Sequence, residues 1–211
     1  MSELFTDLFR RHPELADLAP TLAAVCDVLT ACWNNAGTLF LAGNGGSAAD
    51  AEHICGELLK GFRSRRPLSP ERQAEYKRRF GAAGAELAGK LQCGLRAVSL
   101  LSHPALATAF ANDVDPELGF AQQLYALGRP GDVLLGISTG GNAANIRWAL
   151  MTARAEGMTT ILLTGNRHGS CESLADYVLA VPESETFRVQ ELHLPLYHAL
   201  CRELERRFFP N

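Results

Sequence analysis

The sequence lacks a strong charge of either sign: 20 Lys and Arg stand against 23 Asp and Glu, a formal net charge of −3 in 211 residues. With a pI near 6.1 there is no global basic footprint, which argues against a nucleic-acid binder. No apolar run is read as approaching the ~20 residues that span a bilayer, and Met1-Ser2-Glu3-Leu4 is not the charged-then-apolar start of a signal peptide, so no membrane role is expected. The six cysteines (Cys26, Cys32, Cys55, Cys93, Cys171, Cys201) include no CxxC pair, and most lie among apolar neighbours. Reduced thiols and a cytoplasmic location are therefore expected. Internal repeats, low-complexity tracts, the GxGxxG dinucleotide fingerprint and the Gly-Lys-Ser/Thr of a nucleotide P-loop are also missing, which turns attention away from nucleotides.

What is present is enough for a core, with 47% hydrophobic residues. After an irregular start, Leu15, Leu18, Leu22, Val25, Leu29 and Cys32 recur at spacings of three and four, the stripe of a helix that Pro20 can open and Gly37 can end. Short apolar runs then alternate with helical patterns: Thr38–Ala42, Ala97–Leu101, Val133–Ile137, Thr160–Thr164 and Tyr177–Val181. Strands alternating with helices predict a parallel sheet in an α/β fold. A last helix is expected from about Glu185 to Phe208, with Leu192, Leu196, Leu200 and Leu204 four apart.

One stretch breaks the alternation. Residues 68–91 are charged at first and then rich in Ala and Gly, and Ser69-Pro70-Glu71 reads as a helix start. The spacing predicts a helix carrying Lys77, Arg78 and Arg79, with a second short one from Gly84 to Leu91. A solvated surface hairpin is preferred here over a substrate lid, because charge runs usually face water.

Two predicted strands end in glycine-rich turns that lead straight into helices, Gly43-Asn44-Gly45-Gly46-Ser47 and Ser138-Thr139-Gly140-Gly141-Asn142. Carboxyl ends of parallel strands are where such sheets bind ligands. Glycines allow close backbone approach, while short polar side chains and helix-start amides suit oxyanions and hydroxyls, so a sugar phosphate is the expected ligand. Structural turns are the blander reading. The helix after the first turn carries His53 and Glu57 four apart, on one face. The last helix carries Gln190, Glu191, His193 and His198, and a histidine on so packed an element is more often simply hydrogen-bonded in place.

AGNGGSAADAEH (42–53), GDVLLGISTGGNAANI (131–146), LLTG (162–165) and RVQELHLPLYH (188–198) together resemble the sugar isomerase (SIS) domain family, in its phosphoheptose isomerase branch. The resemblance runs over most of the chain from Thr38 onward. It implies a single SIS domain over 1–211, a three-layer αβα sandwich with a five-stranded parallel sheet, N-terminal helices over 1–36 and a helical insertion. It also implies a homotetramer with active sites between subunits and a cytoplasmic enzyme of lipopolysaccharide heptose biosynthesis. The implied reaction converts sedoheptulose 7-phosphate into D-glycero-D-manno-heptose 7-phosphate. By matched position, Glu57 is the general base and His198 its partner acid, and in zinc-binding members the ligands fall on His53, Glu57, Gln190 and His198. Asn44, Gly45, Gly46, Ser47, Asn112, Asp113, Ser138, Thr139, Gly140, Asn142 and Gln190 are the implied substrate contacts.

The sequence departs from the family pattern in the second loop, where Gly140 and Ala143 replace two serines, and at Gly61, where an arginine often contacts substrate. Lys60, Arg63 or the insertion are candidates to replace that arginine. A non-catalytic phosphosugar-binding or replication-initiator-associating SIS protein is the alternative function. Either way, moving a carbonyl between adjacent carbons needs a base for a carbon-bound proton and an acid near the oxygen, which a carboxylate and an imidazole can supply.

Overall fold

The computed structural model describes residues 2–210. Five strands, β1 (Leu39–Gly43), β2 (Ala97–Ser99), β3 (Val133–Ile137), β4 (Thr159–Thr164) and β5 (Tyr177–Ala180), form one parallel sheet in the order β2-β1-β3-β4-β5. All five were legible as apolar runs. Crossovers in a parallel sheet place helices on both faces, so β1 and β3 are buried at every residue instead of alternating with water.

The period of two survives as a choice of layer. Leu39, Leu41, Leu135, Ile161 and Leu163 join one apolar cluster, and Phe40, Ala42, Leu134 and Leu162 join the other. The first cluster packs under α2 (Ala19–Asn34), α3 (Gly46–Leu59) and α8 (Thr186–Phe208), and the second under α6 (Gly119–Leu127) and α7 (Ala144–Ala155). The expected three-layer αβα architecture is what forms.

Two readings of the amino-terminal part need correction. The start is not irregular: α1 (Glu3–Arg11) is capped by Ser2, whose Oγ accepts the Phe5 amide at 3.3 Å, and it buries Phe5 and Leu8. A short apolar pair inside charged residues is too sparse to read as a stripe. Nor does the sequence want for a long apolar segment, because helical residues Pro13–Asn34 reach a mean hydropathy of 1.5 over a stretch long enough to cross a membrane. Its Leu15, Leu22, Val25, Cys26, Leu29 and Cys32 lie in the first core cluster, where α2 packs on α8 and β5 as a core helix does.

The insertion is α4 (Pro70–Lys90), two helical arms divided at Gly81, whose φ of 60° and ψ of −137° only glycine adopts easily. The break comes three residues before the predicted second helix. Ser69 caps the first arm through the Arg72 amide, and Glu75 pairs with Arg78 and Arg79 on the exposed side. Only Gly84 and Ala88 are buried in α4. The remaining helix, α5 (Pro104–Asp113), buries no residue and packs on α6.

Candidate active site

The site is built where β1 and β3 end and α8 crosses α3. The first loop turns directly into α3, and Gly46 lies against the Gln190 amide of α8, so closely that a Cβ there would collide with it. The second loop leads to α7. Asn44 and Asn145 join the two loops by a reciprocal pair of amide hydrogen bonds, each 2.9 Å. Asn145 escaped the sequence reading, since nothing in the sequence links it to a residue 101 positions away.

The other loop residues divide between presenting groups and holding the turn. Asn44, Gly45 and Gly46 are exposed, whereas Ser47 and Ser138 are buried at 4% and 7%. Ser138 Oγ accepts the Ala143 amide at 3.4 Å, a bond within the turn that leads into α7. Asn142 Oδ1 accepts the Ser170 amide, and its Nδ2 donates to the Gly140 carbonyl. The Thr139 carbonyl accepts the Gly165 amide. Part of the second loop's polar capacity therefore goes to its own shape, while the helix-start amides and the Ser138 and Thr139 hydroxyls can still donate to an oxyanion. Asn112 and Asp113 end the exposed α5, bonded to each other at 2.8 Å. Among the described residues no hydrogen bond joins them to the loops, α3 or α8.

Asp50, His53 and Glu57 recur on one face of α3, and Tyr197 and His198 meet them from α8. The His53 and His198 rings stand edge to face with centroids 5.0 Å apart. His53 Nε2 lies 3.4 Å from Glu57 Oε1, while Lys60 Nζ donates to Glu57 Oε2 at 3.1 Å. His53 Nδ1 is 3.0 Å from the Tyr197 hydroxyl, which donates to Asp50 Oδ1 at 3.1 Å. Burial raises the Asp50 carboxyl above its usual range and, with Asp50 beside it, pushes the Tyr197 phenol well up. For His198, burial first and the neighbouring His53 next lower the imidazole pKa, so it stands neutral at neutral pH. Its Nε2 is buried without a hydrogen-bond partner.

A loop that the sequence left unassigned completes the wall. Glu205 accepts the Phe62 and Arg63 amides at 2.8 and 2.9 Å and pairs with the buried Arg66 at 3.0 Å. Burial opposes the Glu205 charge, but those donors outweigh it and hold the carboxyl below its usual range. This anchor sets the Phe62 ring 5.4 Å from His198 and brings Arg63 into a cavity of about 560 Å³ that His198 and Arg202 also line. Of the candidates to replace the missing arginine, Lys60 thus meets Glu57 and Arg63 faces the cavity. His193 stands apart, fully buried, its Nε2 donating to the Thr164 carbonyl at 3.2 Å.

For a metal, the donor chemistry of His53, Glu57, Gln190 and His198 suits zinc, and the orphaned His198 Nε2 beside His53 is what a ligand-ready nitrogen would show. No group of three His, Cys, Asp or Glu in metal-holding geometry occurs among the described residues, so the fourth donor, Gln190, and small side-chain movements would be needed.

Comparison with known proteins now bears on this arrangement. The SIS domain matches residues 73–165. Phosphoheptose isomerase of Burkholderia pseudomallei is 40% identical over 197 residues, covering 92% of this chain and 87% of that protein. That of Roseiflexus sp. is 36% identical over 207 residues, 98% of this chain and 91% of the other. The chain belongs to the phosphoheptose isomerase family of SIS-domain enzymes. Solved structures agree: phosphoheptose isomerase from Neisseria gonorrhoeae superposes with a TM-score of 0.73 at 32% identity, covering 95% of this chain and 94% of that one. The enzyme from Francisella tularensis gives 0.74 at 27% identity, with 98% and 100% covered. Family membership accounts for the two loops, α3 and α8 meeting in one place.

Proposed function

We propose that the protein is an aldose–ketose isomerase that converts sedoheptulose 7-phosphate into D-glycero-D-manno-heptose 7-phosphate in the cytoplasm, with Glu57 as base and His198 as acid. The observation that carries this reading is the convergence of Glu57 and His198 about His53, beside loops joined by Asn44 and Asn145. The loops bind the phosphate through backbone amides, with Gln190 and the first-loop side chains directed to hydroxyls. Glu57 removes a proton from C1 of the ketose while His198 delivers one to the C2 oxygen, giving an enediol. Exchange of the Glu57 proton with solvent while the enediol is bound, delivery of a proton from Glu57 to C2 and return of the O1 proton to His198 complete the aldose and restore both residues.

Zinc is part of the proposal: held by His53, Glu57, Gln190 and His198, it would supply Lewis-acid polarisation of the carbonyl. Metal analysis of the purified protein is expected to find zinc, and His53→Ala is expected to lose it; equal, negligible zinc in both would remove the metal from the proposal. A homotetramer is proposed as well, supported by an α5 that buries nothing within one chain.

The decisive experiment incubates sedoheptulose 7-phosphate with the protein and zinc in deuterated water. Aldose carrying solvent deuterium at C2 is expected, and Glu57→Gln should lower kcat by ~10²-fold or more. Absence of both aldose and deuterium would exclude this substrate.

A further inference from the structure

Two arginines beside the proposed site carry charges that nothing in the chain answers. The cavity of about 560 Å³ next to His198 and another of about 740 Å³ share Arg63 and Arg202 in their walls. The other arginines of those walls are committed, Arg11 to Asp7 at 3.0 Å and Arg206 to Glu203 at 2.7 Å. Nearby acids are committed too: Asp7 also holds Arg10, and Glu205 is taken up by Arg66 and the Phe62 and Arg63 amides. Among the described residues, neither Arg63, which is exposed, nor Arg202, which is half-buried, makes a hydrogen bond or ion pair through its guanidinium. Two free guanidiniums in a concave place suit an anion, phosphate above all, because each planar fork can meet two of its oxygens at once.

Position along α8 says which anion. Gln190 lies against Gly46 of the first loop, His198 against His53, and Arg202 follows His198 by one turn on the same face. From the rise of an α-helix, His198 stands ~12 Å from Gln190 and Arg202 ~6 Å beyond it. Glu191, an acid that also lines the cavity, falls ~10 Å before His198, on the loop side and away from Arg202. We infer that Arg63 and Arg202 form a second anion subsite at the reacting end of the sugar, one that takes a phosphate carried on C1. The ligand class is a ketose bisphosphate, gripped by the glycine loops at one end and by the arginines at the other. With O1 esterified there is no O1 proton to lose, so such a ligand cannot become an aldose and acts as an inhibitor. The inference rests on the sugar orientation of the proposed isomerase reaction but is read by binding without turnover, so its failure and that of the isomerase assignment are separable.

The test is isothermal titration calorimetry of the purified protein with sedoheptulose 1,7-bisphosphate and with sedoheptulose 7-phosphate, the latter first brought to equilibrium with the protein. The parent is expected to bind the bisphosphate at least ~10-fold more tightly than the 7-phosphate, the worth of a charge-assisted hydrogen bond to the second phosphate. Arg63→Gln and Arg202→Gln are each expected to shrink that ratio severalfold, and the double variant to bring it to about one. Either single variant suffices should the other fold poorly. Arg65→Gln, at an exposed arginine outside both cavities, separates a subsite from general attraction between a cationic loop and a more highly charged ligand, and is expected to keep the parent ratio. A ratio near one in the parent, a ratio unchanged in the Arg63 and Arg202 variants, or an equal loss in Arg65→Gln overturns the inference.

Discussion

At the scale of single residues, burial decides what a titratable group can do, and His193 is the plainest case. Desolvation lowers its pKa to about 4 from 6.5, although its bond to the Thr164 carbonyl works the other way. Between those values the unfolded chain binds the proton and the folded chain does not, so stability rises with pH there. The contribution is complete above pH 6.5 and lost as pH falls toward 4, about 3 kcal/mol in all. Urea unfolding of His193→Gln, which keeps a donor for Thr164 but does not titrate, is expected to show a shallower loss of stability across that window. An identical slope in both proteins would mean that some other group governs it. Glu205 adds to acid sensitivity in the same direction, since a depressed carboxyl stabilises above its unfolded pKa and stops doing so as pH falls through the folded one.

Among the elements, α4 differs from the rest because it is held mainly by its own local bonds. Gly81 turns the chain so that Gly84 of the second arm lies against the Tyr76 carbonyl of the first, and α4 makes no extensive contact with another element. A side chain at φ 60° and ψ −137° is strained by on the order of 1–3 kcal/mol. In Gly81→Val that strain is expected to appear as faster amide hydrogen exchange confined to residues 70–90, with the global melting temperature little altered. A large drop in melting temperature would mean that the hairpin supports the body. The reading of a solvated hairpin fits the exposed charged side of the first arm, whereas Phe80 and Leu87, 63% and 48% exposed, are apolar groups that charge counting overlooked.

For the whole molecule, the outstanding feature is apolar surface that one chain leaves uncovered. α5 buries none of its ten residues, and Leu106 and Val114 beside its ends are 36% and 62% exposed, with Tyr125 and Leu127 of neighbouring α6 also open. Apolar exposure of this kind marks association surfaces, and the proposed homotetramer would cover it with copies of the same chain. Light scattering is expected to give a mass about four times 22.8 kDa, and Leu106→Glu combined with Val114→Glu to give a smaller species. A monomeric parent protein would reject the assembly.

The succession of the five strands, the parallel sheet and the two glycine loops were written locally, in apolar runs and turn residues a few positions long, and they could be read without coordinates, whereas α1 could not. So could the pairing of His53 with Glu57, four apart on one helix. What the sequence could not hold was any partnership between distant segments. Asn145 with Asn44, Tyr197 with Asp50 and His53, and Glu205 with Phe62, Arg63 and Arg66 each join residues about 100 to 150 positions apart. Periodicity records which face of an element is buried, but only the packing of α8 across α3 decides which polar groups on those faces meet.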